Sequence, residues 1–189
     1  MATCWNSTVR NDKRVGKGHV YEGGIRVPTV VRWPGVTKPG STCGEPVISY
    51  DYAPTIAEVA GVPREKLPAT DGRSFATLLR GRSGGVRDLF WHYPHYSPQK
   101  GRPAAAIRSG DDKLILFFEE SRVELYNLKK DIGEANDLAA VQPAKAAAMR
   151  KRLEEWLRVT AAQIPVKNPN YDPAREFEAG EPMGPLTAK

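Results

Sequence analysis

The chain has 189 residues, with 16 Pro and 17 Gly, and 28 basic against 22 acidic side chains give it a net charge of +6. That length holds one domain, or one domain and part of another, and the Pro and Gly content calls for many turns. No apolar run approaches the roughly 20 residues a membrane-spanning helix needs; the N-terminus has no basic-then-apolar signal peptide pattern. The dispersed positive charge comes with no nucleic-acid-binding motif, which argues against DNA or RNA as a partner.

Residues 1–16 show no clean period and read as a loop or the edge of a larger domain. Val27 to Trp33 is β-rich and stops at Pro34-Gly35, the pattern of a buried strand. Asp51-Tyr52-Ala53-Pro54 reads as a helix start, with Asp51 accepting orphan amide protons and Pro54 in the first turn. Ile56, Val59 and Ala60 would share the apolar face of that helix, and Gly61 would close it. Phe75, Leu78 and Leu79 form a second short apolar face before Gly81. Ser83-Gly84-Gly85 is a surface loop.

Three strand-like runs follow, at 104–108, 113–118 and 123–128. Gly110-Asp111-Asp112 and Glu119-Glu120-Ser121 are the turns between them, so an antiparallel meander is expected. Pro143 opens a helix in which Met149, Leu153, Trp156, Leu157 and Thr160 form one stripe. Packed on the meander, that stripe makes a small α+β unit. From Pro165 onward the chain is rich in Pro and Glu and reads as an extended tail. The expected organisation is therefore 1–95, 96–165 and a tail at 166–189.

The two cysteines, Cys4 and Cys43, lack metal or redox spacing, and Cys43 falls in a surface-loop context. His92-Tyr93-Pro94-His95-Tyr96 puts two imidazoles and two phenols on a stretch bent by Pro94. It reads either as an aromatic hinge or as the lining of a polar sugar site. A metal site is disfavoured there, because no third ligand lies in reach.

The most specific stretch is Lys17-Gly18-His19-Val20-Tyr21-Glu22-Gly23-Gly24-Ile25-Arg26-Val27-Pro28. It resembles the Lys-Gly-x-x-Tyr-Glu-Gly-Gly-x-Arg-x-Pro segment of the formylglycine-dependent sulfatases. In order along the chain, four further pieces are similar to that family: Asp51-Tyr52-Ala53-Pro54-Thr55, Asp71-Gly72-Arg73-Ser74, Arg108-Ser109-Gly110-Asp111-Asp112-Lys113-Leu114 and Glu124-Leu125-Tyr126-Asn127-Leu128. Asp131-Ile132-Gly133-Glu134 adds an Asp-x-x-Glu. Their order and spacing make the match specific over about 15–173.

The resemblance implies an incomplete alkaline phosphatase-like α/β domain, followed by an α+β subdomain with a small antiparallel sheet and a packed helix. It implies a sulfuric ester hydrolase in which Lys17 binds the sulfate, with His92 and His95 as candidate substrate contacts. The lysine ammonium suits that task as a compact point charge, and Gly16 and Gly18 allow close backbone approach. Calcium is implied for the intact family enzyme, but no metal ligand is carried over to this chain. Nor does the chain contain the Cys/Ser-x-Pro-x-Arg motif that yields the formylglycine nucleophile. The expectation is a C-terminal sulfatase fragment, inactive alone, whose parent acts on a sulfate ester in the periplasm or outside the cell. The alternative is a non-catalytic module binding sulfated polysaccharide.

Overall fold

The computed structural model describes residues 2–4, 16–166 and 168–170. In chain order the elements are β1 (Ala2–Cys4), α1 (Glu22–Ile25), β2 (Thr29–Val31), β3 (Thr42–Cys43), α2 (Tyr52–Val59), α3 (Ala76–Leu79), β4 (Asp88–Tyr93), β5 (Ala104–Ser109), β6 (Asp112–Phe117), β7 (Arg122–Asn127) and α4 (Pro143–Val159). They fall into two compact units. One contains described residues 2–4 and 26–89, the other 16–25 and 90–170. The lysine segment at 16–25 thus groups with the C-terminal sheet, although the chain order suggested the first unit.

In the first unit β1 pairs antiparallel with β2 and parallel with β3, giving the order β2-β1-β3. Residues 2–4, expected in a loop or domain edge, are therefore the middle strand. A three-residue strand is too short to show a period, and backbone pairing alone defines it. The strand expected at 27–33 is shorter and lies at the sheet edge. Thr29 points inward, while Val30 remains 55% exposed, because an edge strand has one neighbour and alternate residues face away. Helix α2 forms where expected but presents a different face. Thr55 and Ala57 are buried, and Ile56 is 65% exposed. The cause is Thr55, whose hydroxyl donates to Asp51 O (2.7 Å) and accepts Phe75 N–H (3.0 Å), turning that side inward. Phe75, Leu78 and Leu79 join Val47 in the unit's small core, with Trp33 and Cys43 packed against it. Cys43 is thus a free thiol on β3 against that core, and not a loop residue.

The second unit matches the expected meander closely. Its sheet order is β4-β5-β6-β7, with β5–β6 and β6–β7 antiparallel in unbroken register. Alternation along the strands makes two different faces. One carries Ala105, Ile107, Leu114, Leu116 and Leu125 and is covered by Ala146, Met149, Leu153 and Leu157 of α4. Trp156 stacks flat on Phe90 at 4.8 Å between centroids. Thr160, expected in the helix stripe, lies just past its end, and its hydroxyl donates to Trp156 O. The other face carries Ala104, Ala106, Ile115, Phe117 and Tyr126 together with Val20, so residues from the lysine segment cover it.

Leu153 is fully buried between α4 and the sheet. Leu153→Ala is expected to destabilise the second unit by about 2–5 kcal/mol, read as a lower urea midpoint for loss of its tertiary signal.

Candidate functional site

The lysine segment begins in a tight turn at Lys17-Gly18, with Lys17 exposed. Gly18 has φ +97°, and a Cβ there would stand 2.6 Å from Ser97 Oγ. Ser97 joins this turn to the loop at 97–101. Its hydroxyl donates to Gly18 O (3.0 Å) and accepts Gly101 N–H (2.9 Å). Gly101 lies so close that a Cβ on it would be 1.7 Å from Gly18 O. His19 Nε2 is 2.8 Å from Gln99 O; a carbonyl only accepts, so this nitrogen carries the proton. These contacts fix the backbone on either side of Gly18 while Lys17 points to solvent. The Gly-Gly pair has its own role. Gly24 N–H donates to Tyr21 O (2.8 Å), and a Cβ on Gly24 would meet His19 O at 2.1 Å.

The segment then enters the sheet's second face. Val20 is buried, and the Tyr21 hydroxyl donates to Glu124 Oε2 (2.6 Å), which also accepts from Tyr126 (2.7 Å). Arg122 pairs with the other oxygen of Glu124. Burial opposes ionisation of Glu124, but the two tyrosine hydroxyls and Arg122 outweigh it and hold its carboxyl below the usual range.

Glu22 is buried beside a fully buried lysine. Lys113 Nζ lies 3.0 Å from Glu22 Oε1 and 2.8 Å from Glu134 Oε1, and the Arg108 guanidinium is 3.7 Å from Glu22 Oε2. The Glu22 backbone N–H donates to Glu134 Oε2 at 2.6 Å. Burial pushes the Glu134 carboxyl above its ordinary value, against the pull of the Lys113 ammonium. The turn presenting Glu134 is tied by Asp131, whose carboxylate accepts the amides of Ala135 and Asn136 (3.1 and 2.8 Å). Four separated sequence motifs thus meet at one place: Tyr-Glu-Gly-Gly, Arg-x-Gly-x-x-Lys, Glu-Leu-Tyr and Asp-x-x-Glu.

In the first unit, the expected helix-start residue Asp51 is fully buried but does not cap its own helix. It accepts the amides of Ile48 (3.0 Å) and Arg73 (2.9 Å) and is clamped by Arg87. The Asp-x-x-Pro-Thr and Asp-Gly-x-Ser pieces therefore serve as structural joints.

His92 and His95 have different surroundings. His92 lies on β4, its ring edge-on to Phe118 at 5.6 Å and its Nε2 donating to Gln163 O (2.9 Å). Phe118 packs with the helix-covered face of the sheet, opposite to the one the lysine segment covers. His95 is exposed and its ring packs on Tyr93 at 4.1 Å. Among the described residues no group of three or more His, Cys, Asp or Glu is placed to hold a metal ion. The calcium implied by the resemblance therefore does not fit these residues.

Sequence reading did not single out Lys113, Glu134 or the Ser97–Gly101 loop as supports of the lysine turn. A signal for Lys113 was present. A lysine inside an apolar strand, in step with the inward Ile115 and Phe117, needs a buried carboxylate.

Comparison with known proteins gives a consistent picture. Residues 11–163 match the family described as N-sulphoglucosamine sulphohydrolase, C-terminal. A sulfatase from Formosa agariphila is 40% identical over 161 residues, covering 76% of this chain and 29% of that protein. Human arylsulfatase A is 39% identical over 108 residues, covering 57% of this chain and 21% of that protein. Among solved structures, BT4656 in complex with its substrate D-glucosamine-2-N,6-O-disulfate aligns with a TM-score of 0.57 at 29% identity, covering 73% of this chain and 29% of that one. The chain therefore spans less than a third of the length of these relatives.

Two outcomes follow from the geometry. Gly101→Ala is expected to displace the 97–101 loop from Gly18, seen as lost amide protection at Gly18 and Gly101 by hydrogen exchange. Glu124, with its lowered pKa, contributes stability that is present above the ordinary glutamate range and lost as pH falls through its folded value. The stability gap between wild type and Glu124→Gln should therefore be widest near neutral pH and close on acidification, measured by urea unfolding across that range.

Proposed function

Since the chain belongs to the sulfatase family, we propose that it forms the C-terminal part of a sulfuric ester hydrolase in which Lys17 binds the sulfate group of the substrate. The observation that carries this reading is the exposed Lys17, set in a turn held by Ser97, Gln99 and Gly101 and followed by a buried anchor at Glu22. A cation held in this way meets the demand of the reaction. Cleaving a sulfate ester builds negative charge on the leaving oxygen and keeps charge on the sulfate oxygens. A prepositioned ammonium stabilises both without reorganising at the moment of reaction. A sulfated sugar is the substrate class we favour, supported by the sulfated glucosamine bound in the related structure.

In this reading the nucleophile and the metal ligands come from outside the described residues, and the chain alone has no turnover. A chimera tests it. Residues 16–163 would replace the matching part of the Formosa agariphila sulfatase. The chimera should release sulfate from a sulfated sugar, and Lys17→Ala within it should lower kcat/KM by roughly 10²–10³. Unchanged turnover in the Lys17→Ala chimera would sink the assignment. Saturable binding of a sulfated polysaccharide by the chain, indifferent to Lys17→Ala, would favour the non-catalytic binding module instead.

A further inference from the structure

We propose that Lys113 and Glu134 are positioning residues that fix where the Lys17 ammonium stands; the inference rests on the reading of Lys17 as the sulfate contact. Lys113 reaches Glu22 and Glu134, and neither partner belongs to the sheet that carries it. Glu134 in turn holds Glu22 through the backbone, accepting its N–H at 2.6 Å. Glu22 is therefore held by its side chain and its main chain at once, which fixes both its place and its direction.

From Glu22 back to Lys17 the path is short and stiff. Tyr21 is bonded to Glu124, Val20 is buried, His19 is bonded to Gln99 O, and Gly18 O accepts from Ser97. A shift of Glu22 is thus transmitted to the lysine turn. The sheet itself has other supports, since β5–β6 and β6–β7 pair in full register and α4 covers the opposite face. Glu134 sits at φ +54°, a left-handed conformation uncommon for glutamate. That geometry is kept by the Asp131 turn, so the carboxylate is delivered to one place.

The test uses the full chain and four proteins: wild type, Lys113→Met, Glu134→Leu and Glu134→Gln. Glutamine keeps an oxygen that accepts the Glu22 N–H; leucine does not. In Glu134→Leu and Lys113→Met, amide exchange at 16–25 should rise roughly tenfold or more beyond any rise in α4 and β5–β7. Glu134→Gln should retain the protection. The Glu22 amide proton should resonate far downfield in wild type and lose that shift in Glu134→Leu. Titration with sodium sulfate, followed at the Lys17 and Gly18 resonances, should give roughly tenfold weaker binding in Glu134→Leu than in wild type or Glu134→Gln.

Unchanged protection at 16–25 in Glu134→Leu, or sulfate binding equal to wild type, overturns the proposal. So does exchange that rises equally in α4 and β5–β7, because that marks a general structural role. A wild type in which sulfate leaves Lys17 and Gly18 unmoved, with the exchange pattern as expected, instead overturns the sulfate reading of Lys17 and leaves the anchoring by Glu134 standing.

Discussion

A lysine with no access to water constrains everything around it. Lys113 carries its charge into the interior of the sheet's second face, where it is tolerated only if carboxylates meet it with good geometry. Glu22 and Glu134 provide them, one from a segment far upstream and one from a turn downstream. Such a group need not add net stability compared with a well-packed apolar alternative. Removing one member is another matter, because it leaves an uncompensated buried charge at a cost of about 3–5 kcal/mol. The arrangement trades adaptability for a single permitted geometry.

The sheet separates two tasks by face. The side toward α4 is aliphatic and aromatic and holds the unit together by burial, which is non-directional. The side toward the lysine segment mixes small alanines with Arg108, Lys113, Glu124 and Tyr126, whose hydrogen bonds have direction and length. Ala104 and Ala106 leave room for the covering segment to approach. Orientation matters on this face because the covering segment ends in the exposed Lys17 turn.

The C-terminal unit was largely legible in the sequence. Each of β5–β7 lies within one residue of its expected bounds and α4 opens at Pro143 as expected, since periodicity and breakers act locally. The first unit was less so. The strand at Ala2–Cys4 exists through pairing with β2 and β3, and the inward face of α2 is set by a hydroxyl bridging Asp51 and Phe75. Both are tertiary facts that a local window does not carry. At the candidate site, Lys17 and its glycines were visible as a motif. Their supports were not, because Ser97, Lys113 and Glu134 are distant in the chain and meet only on folding. His92 and His95 drew attention by composition, yet alternation along β4 sends the His92 ring toward Phe118 and Gln163.

The span of chain closed by the Glu22 contacts has a consequence for where a domain boundary belongs. Glu22 bonds partners 91 and 112 residues away, whereas the contacts that build the meander are between neighbours in sequence. Local pairing costs less closure entropy than distant closure, so contiguity along the chain and the side-chain contacts mark different limits for this unit. A cut just before β4 would therefore look natural by contiguity and be wrong by chemistry. It would yield a sheet with one finished side and, on the other, a buried lysine stripped of one of its counterions and of its cover.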